Sequence, residues 1–232
     1  MHKYRVFFLN CVIWSELKKN VLQTIICLLS FGLMSCNSPT SPVTRESSVF
    51  LQSNDDTEIR THEIIHLADQ SVMVFIPASE FVMGRDGMPA ELGESPAHSL
   101  HLDGFYIDKF EVTNARYQHF MNKTGVSPPD FWGTMNSPDL PVSWVTWFQS
   151  QAYCQWVSKR LPTEAEWEKA ARGTDERLYP WGDEFNWNYG NFSDNYLEDG
   201  HIDGFPSSSP VGSFLTDISP YGVFDMGGNV LE

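Results

Sequence analysis

Basic side chains, cysteines and long apolar runs are all scarce in this sequence. Its 232 residues include 15 basic and 30 acidic residues, which gives a net charge of −15. A balance so acidic repels nucleic acid and anionic lipid headgroups, and it favours solubility or cation binding. No internal repeat is evident. Eight Trp, 16 Gly and 14 Pro favour a compact, loop-rich domain with aromatic anchors over a plain helical bundle.

An apolar run near the N-terminus, residues 21–33, is too short for a comfortable bilayer span. Lys18 and Lys19 precede it, and it leads into "LMSC", which ends at Cys36. This is the secretory pattern, and Leu-x-Ser-Cys resembles the bacterial lipobox, in which the cysteine receives a lipid. We therefore expect residues 1–35 to be a lipoprotein signal peptide and Cys36 to be lipidated. An uncleaved anchor helix is the alternative.

The residues around this signal refine the prediction. Asn37 stands where an aspartate would favour retention at the inner membrane, so the resemblance implies an outer-membrane tether in the bacterial envelope, facing the periplasm or the surface. Residues 1–16 fit a signal poorly, and a start at Leu17 would open an ordinary one. Residues 1–35 hold four basic residues and one acid, so their removal would change the net charge from −15 to −18.

Cysteine usage follows from the same prediction. Cys11 and Cys27 would leave with the signal and Cys36 would carry the lipid, so only Cys154 would remain in the folded part. No internal disulfide is expected. Residues 36–70 are predicted to consist of the lipidated Cys36 followed by a flexible tether, because the first part of this range is rich in Ser, Thr, Pro and Asn.

Two histidine pairs have spacings that could suit a metal. His62 and His66 are four residues apart, but no further ligand lies nearby, so we expect a solvated pair. His98 and His101 also lack a third ligand, and we interpret them as ordinary strand-entry residues.

The folded domain is predicted to begin at Ser71 and to mix strands with helices. The segment "SVMVFIPASEFVMG" is strand-like, is broken by Pro77 and is closed at Gly84. Alternation over residues 104–112 predicts a second strand. Thr113 is then expected to cap a helix.

Two more helices are predicted further along the chain. One covers residues 147–159 and contains Cys154, which we interpret as a small core residue. The other begins at a capping box formed by Thr163 and Glu166 and ends at Gly173.

Six ordered motifs over residues 71–232 resemble the formylglycine-generating enzyme family, also called sulfatase-modifying factor domains. They are "FVMG" with "ESPAH", "DGFYIDKFEVTNARYQHF", "PVSWVTWFQSQAYCQW", "LPTEAEWEKAARG", "YPWGDEFNWNYGNFSD" and "YGVFDMGGNVLE". The resemblance implies an irregular α+β fold related to C-type lectins, with little regular secondary structure.

The family's chemistry, by this resemblance, is the oxidation of a sulfatase cysteine to formylglycine with molecular oxygen and copper(I) held by two cysteines. Those cysteines follow the Gly-Asn-Val block, near a Gly-Gly-Ser-Trp-like segment that this sequence does not contain. Cys154 matches a structural position, so no catalytic residue is assigned. Copper is expected only if a missing C-terminal segment supplies two cysteines, because copper(I) prefers thiolate ligands.

The resemblance also implies two calcium sites made of side-chain and backbone oxygens. The first set is Asn191, Phe192, Asp203 and Phe205, and the second set is Asp225, Gly228, Val230 and Glu232. For Asp203 and Asp225 the alternative is a turn residue that caps its own backbone. Leu231 departs from the family, which usually has Trp there.

Two function classes follow. The first is a noncatalytic structural or binding component of the cell envelope, held at the membrane by its lipid and in contact with envelope proteins or sulfatase polypeptides. The alternative is a fragment of the copper- and oxygen-dependent oxidase. A third class, an iron-dependent sulfoxide synthase, would need a His-rich helical domain that the sequence lacks.

The chain stops at Glu232, just after the Gly227-Gly228 pair, on what resembles the second calcium loop. Stopping there would leave strands and helices without the partners that cover them, and monomers rarely tolerate such exposed apolar surface. We therefore expect the sequence to be a fragment, incomplete at the C-terminus, whose intact gene continues with a Gly-Gly-Ser-Trp-like block.

Overall fold

The computed structural model describes residues 10–14, 45–46, 63–87, 94–133, 137–192, 203–205 and 207–231. The strands are β1 (Val12–Trp14), β2 (Arg45–Glu46), β3 (Glu63–His66), β4 (Ser71–Ile76), β5 (Ser79–Met83), β6 (His98–Leu102) and β7 (Phe105–Asp108). The helices are α1 (Asn114–Thr124), α2 (Trp147–Trp156) and α3 (Glu164–Arg172). None of these helices is long and apolar enough to cross a membrane.

The strands form two antiparallel sheets. The larger sheet has the order β1-β7-β4-β3-β2, and β5 pairs with β6 in a separate hairpin. As the sequence predicts, Pro77 separates two strands, since a residue without an N–H cannot continue a ladder. The central strands β4 and β7 contribute Val74 and Ile107 to a core that α3 covers with Ala170 and Ala171.

Side chains cap the start of each helix, and the caps at Thr113 and Thr163 are those that the sequence predicts. Thr163 and Glu166 form the predicted capping box, and Gly173 ends α3. Thr146 forms a second capping box with Gln149 at the start of α2. That helix ends at Trp156, three residues before the predicted end.

A disulfide joins Cys11 to Cys154, so the expectation that the chain contains no internal disulfide is wrong. β1 pairs antiparallel with β7, with Val12 opposite Ile107, and this pairing brings Cys11 to α2. Both cysteines are fully buried. Cys154 is therefore a core residue, as predicted, but one with a covalent partner 143 residues away.

The predicted signal peptide includes β1. Cleavage before Cys36 would separate residues 10–14 from the domain, and with them the sulfur that bonds Cys154. Cys27, Cys36 and Leu17 lie outside the described residues, so the signal and its lipidated cysteine stay predictions. The two arrangements differ in a measurable property, because Cys154 is oxidised in one and a free thiol in the other.

The larger sheet also begins before Ser71. β3 pairs with β4 along its whole length, so the ordered part of the chain extends upstream of the predicted boundary. His66, within β3, is 4% exposed and its Nδ1 lies 3.1 Å from Asp69 Oδ1. The solvated interpretation of His66 is therefore wrong, while His62 lies outside the described residues. His98 begins β6 and is exposed, which confirms its interpretation as a strand-entry residue.

A buried ionic network lies beside the disulfide. Lys159 Nζ donates to Asp69 Oδ2 at 2.8 Å, to Asp108 Oδ1 at 2.7 Å and to Ser71 Oγ at 2.6 Å. Burial alone would raise the pKa of Asp69, but the hydrogen bond with His66 and the charge of Lys159 outweigh it and hold the pKa well below its usual range. This network joins the start of β4, the end of β7 and the residues after α2.

Candidate cation-binding loops

The first predicted set is brought together around Asp203. Phe192 N–H donates to Asp203 Oδ2 at 3.0 Å, and Phe205 N–H donates to Asp203 Oδ1 at 2.9 Å. Asp203 thus acts as a turn residue, the alternative given above. Each carboxylate oxygen keeps a second lone pair, so this role and a cation ligand role are compatible.

Asn191 connects the first set to the second. Its carboxamide nitrogen donates to Ser207 O at 2.8 Å and to Asn229 Oδ1 at 3.1 Å. Its backbone carbonyl accepts from Asn229 N–H at 2.8 Å. Asn191 is 7% exposed, so these contacts lie inside the protein. The two predicted calcium loops are therefore in direct contact.

In the second set, Asp225 is the buried acid. It is 2% exposed, and its Oδ2 accepts from Gly212 N–H at 2.6 Å. Burial raises the pKa of Asp225 to about 6. Val230 N–H donates to Gly228 O at 2.9 Å in the turn that follows. Glu232 lies outside the described residues.

Asp217 is a buried acid that sequence reasoning missed. It is 1% exposed and accepts from Gly227 N–H at 2.9 Å. Burial, with a smaller contribution from the charge of Asp225, raises the pKa of Asp217 to about 7. No local pattern signals this role, because the aspartate lies ten residues before the glycine that it bonds.

The glycine pair is required by close packing. A Cβ on Gly227 would lie 2.5 Å from the Trp181 ring, and a Cβ on Gly228 would lie 2.8 Å from Asn191 O. Both distances are shorter than any Cβ contact that a structure accommodates without movement. Only glycine therefore lets this turn approach both the aromatic ring and the first loop.

These loops suit a hard cation by their chemistry. Within the described ranges, no cluster of three or more His, Cys, Asp or Glu side chains is placed so that it could hold a metal ion. The two predicted sets instead combine few carboxylates with amide and carbonyl oxygens, a set of ligand atoms that calcium accepts. No basic side chain pairs with Asp217 or Asp225 in the described part of the chain. A cation beside Asp225 would offset the cost of burying its charge.

A separate cleft of about 340 Å³ lies between the β5–β6 hairpin and α3. Trp167 and Tyr179 are among the residues that line it, together with Arg85 and Arg172. Each guanidinium is paired with a carboxylate, Arg85 with Glu94 and Arg172 with Glu168. The cleft contains none of the residues predicted as ligands.

Four exposed aromatic rings before and at the start of α2 fall into two pairs, which together we call the aromatic surface: Phe131, Trp144, Trp147 and Phe148. The ring centroids of Phe131 and Trp144 are 4.9 Å apart, and those of Trp147 and Phe148 are 5.3 Å apart. Phe131 and Trp144 have φ of 58° and 61°, a left-handed conformation that is unusual and strained for bulky residues. The backbone is thus held in a costly conformation where these two rings are displayed.

Comparison with known proteins completes the description. The family described as "Sulfatase-modifying factor enzyme 1-like domain" matches residues 64–232. The formylglycine-generating enzyme of Bos taurus is 31% identical over 212 residues, covering 69% of this chain and 56% of that protein. The "Inactive C-alpha-formylglycine-generating enzyme 2" of Mus musculus is 32% identical over 212 residues, covering 71% and 68%.

A solved structure, that of PvdO from Pseudomonas aeruginosa, shares the fold with a TM-score of 0.59 and 26% identity, and covers 71% of this chain and 70% of its own. The predicted irregular α+β fold is confirmed by this similarity and by the short strands and three helices of the described residues. The chain spans little more than half the length of the bovine enzyme.

Proposed function

Because the chain belongs to the sulfatase-modifying factor family, whose members include formylglycine-generating enzymes, we propose that it is a noncatalytic structural or binding component of the cell envelope, stabilised by calcium. The disulfide shows only that the two cysteines within the described residues, Cys11 and Cys154, are bonded to each other and offer copper(I) no pair of thiolates. The noncatalytic part of the proposal is carried by the name of a relative. One relative is itself named as inactive.

The envelope location is supported by chemistry and by sequence. Disulfides persist in oxidising compartments such as the periplasm and the cell surface, and a buried Cys11–Cys154 bond suits such a place. The lipobox-like segment ending at Cys36 supports the same location separately, through a lipid anchor. Because cleavage before Cys36 would remove Cys11, only one of these two features can be present in the mature protein. Membrane fractionation of cells expressing the chain with and without Cys36→Ala tests the anchor: we expect the variant to leave the membrane fraction, and unchanged partitioning would refute the anchor.

A binding role is supported by the aromatic surface. Aromatic side chains supply large contact areas at protein interfaces, and Phe148 and Phe131 are 76% and 63% exposed. We propose that this surface contacts another envelope protein or a sulfatase polypeptide. The net charge of −15 argues against nucleic acid.

Calcium would be held by the two loops described above. Asn191, Phe192, Asp203 and Phe205 would supply the first set of oxygens, and Asp225, Gly228, Val230 and Glu232 the second. The cation would supply positive charge beside buried acids and would order the loops. The protein's own contribution is to keep the carbonyl and carboxylate oxygens in place, as the bonds to Asp203 already do.

An oxidase assay tests the noncatalytic proposal. Purified chain, supplied with copper(I), is incubated with a Cys-x-Pro-x-Arg peptide, and oxygen consumption and the mass of the peptide are followed. We expect no turnover above buffer, with an active formylglycine-generating enzyme as the positive control. Turnover by this chain would overturn the proposal.

The second candidate, a fragment of the copper-dependent oxidase, is favoured by one observation, the 31% identity to an enzyme of that name. Reading the genomic DNA past codon 232 discriminates between the two. Two codons for cysteine in a family-like continuation would favour the oxidase, and a continuation without them would favour the noncatalytic component.

A further inference from the structure

We infer that Asn229 is a positioning residue that couples the two calcium loops, so that a cation bound at one loop raises the affinity of the other. The inference rests on the calcium role proposed above. It goes beyond that role because Asn229 belongs to neither predicted ligand set, and because two such sets could equally bind their cations independently.

The contacts of Asn229 connect three parts of the chain. Its carboxamide oxygen accepts from Ser209 N–H at 2.8 Å and from Asn191 Nδ2 at 3.1 Å. Its carboxamide nitrogen donates to Glu111 Oε2 at 2.8 Å and to Ser209 O at 3.3 Å. Its own backbone N–H donates to Asn191 O. One side chain thus binds the first loop, the segment around Ser209 and a fully buried acid after β7.

These bonds also fix the orientation of both amides. Ser209 N–H can only donate and Ser209 O can only accept, so they determine which end of the Asn229 carboxamide is oxygen. Ser207 O does the same for Asn191, whose nitrogen faces Ser207 O and Asn229 Oδ1. The carboxamide oxygen of Asn191, at the opposite end of the group, is therefore the atom available to the first cation.

The second loop depends on the same residue through its backbone. Asn229 lies between Gly228 and Val230, both members of the second set, and has φ of 65°. Its N–H bond to Asn191 O holds this turn against the first loop. The approach is close enough that a Cβ on Gly228 would lie 2.8 Å from Asn191 O. A shift of either loop must therefore move the other.

Coupling follows from this shared geometry. A cation that orders one loop also restricts the other through Asn229, so the second cation meets a loop whose ordering cost is already reduced. Coupling between sites is usually equivalent to a factor of about 5 to 150 in affinity. The Asn229 side chain supplies the bonds to Asn191 Nδ2, to Ser209 and to Glu111, whereas the backbone bond to Asn191 O does not need it. Removing the side chain should therefore weaken the coupling between the loops.

Calorimetric titration of the full chain with calcium tests the inference. Wild type is compared with Asp203→Ala, with Asn229→Ala, and with the double variant. We expect wild type to bind two cations, and Asp203→Ala to weaken the remaining site by about fivefold or more. In the Asn229→Ala background, Asp203→Ala should change the remaining affinity by a smaller factor than it does in wild type, a result that a merely structural role would not give.

Asn188→Ala is the matched control, because Asn188 is exposed and, among the described residues, its side chain bonds Asn186 in a surface turn. It should keep the coupling of wild type. If Asn229→Ala does not fold, Gly228→Ala separates the loops instead, because its Cβ would clash with Asn191 O. Its control is Gly133→Ala, whose Cβ meets nothing within 4 Å. Gly228→Ala should then remove the effect of Asp203→Ala on the other site.

The outcomes separate this inference from the calcium proposal. Two cations that bind wild type independently, with Asp203→Ala changing the other site by less than about twofold, would overturn the coupling and leave the calcium role standing. Coupling of the same size in Asn229→Ala as in wild type would overturn the assignment to Asn229. No calcium binding by wild type would overturn the calcium role together with the inference.

Discussion

Breaking the Cys11–Cys154 bond should lower the free energy of unfolding by several kcal/mol. The bond closes a loop with a sequence separation of 143, for which the chain-entropy relation gives about 5 kcal/mol at 25 °C. Measured losses are more often about 2–4 kcal/mol. Since small domains have total stabilities of about 5–15 kcal/mol, the loss should be a large part of the whole.

The assay is denaturant unfolding of the chain that retains residues 10–14. Oxidised protein is compared with the same protein reduced, and with a Cys11→Ala, Cys154→Ala double variant. The reduced protein keeps both side chains, so it isolates the bond from the loss of buried sulfur. Reductant should not change the midpoint of the double variant. Equal midpoints for oxidised and reduced wild type would refute the reasoning.

The same bond decides between the two arrangements of the N-terminus. Alkylation of the denatured, unreduced protein followed by mass spectrometry shows whether Cys154 carries a free thiol. A disulfide-linked Cys11 peptide would show that residues 10–14 stay with the domain. An alkylated Cys154, together with an N-terminus at a lipidated Cys36, would show that the predicted signal is removed and β1 with it.

Three further perturbations test other parts of the structure. Calcium at a hundredfold excess over its dissociation constant should stabilise the chain by about 2.7 kcal/mol, which would be measured as a higher Tm. Asp203→Ala should lose part of this stabilisation, whereas Asp130→Ala, at an exposed position, should not. Identical melting with and without chelator would leave only the turn role of Asp203. Because the pKa of Asp69 is held below its usual range, its contribution to the free energy of unfolding is present above about pH 4 and is lost as the pH falls. Asp69→Asn should therefore lower the free energy of unfolding most at neutral pH, and the difference from wild type should narrow in acid. A difference that does not change with pH would contradict this. Gly227→Ala places a Cβ 2.5 Å from the Trp181 ring and should lower the free energy of unfolding in denaturant by about 1–3 kcal/mol. Gly133→Ala, whose Cβ meets nothing within 4 Å, should leave it nearly unchanged. Equal stability of the two variants would contradict the packing argument.

Local signals in the sequence predict local structure here. The capping box of Thr163 and Glu166, the end of α3 at Gly173 and the break at Pro77 each depend on residues within a few positions of one another, and each prediction is confirmed. The resemblance in turn identified the family and its fold.

Contacts between distant residues were not predictable in the same way. Cys11 and Cys154 are 143 residues apart, and nothing in the spacing of four cysteines selects this pair. Asn229 bonds Glu111, which is 118 residues away. Sequence reasoning assigned Asp225 and Gly228 to a site but missed Asp217, because its role is set by a turn that folds back onto it.

The order of the larger sheet has a consequence for association between molecules. Among the described residues its two edges are formed by its shortest strands, β2 with two residues and β1 with three. Short edge strands limit pairing with other chains. If β1 were absent, β7 would become an edge of the described sheet, and its residues Phe105 and Ile107 would lose the strand that lies opposite them. Such an edge is a template for a strand from another molecule, so a chain that loses β1 would need that edge covered to remain monomeric.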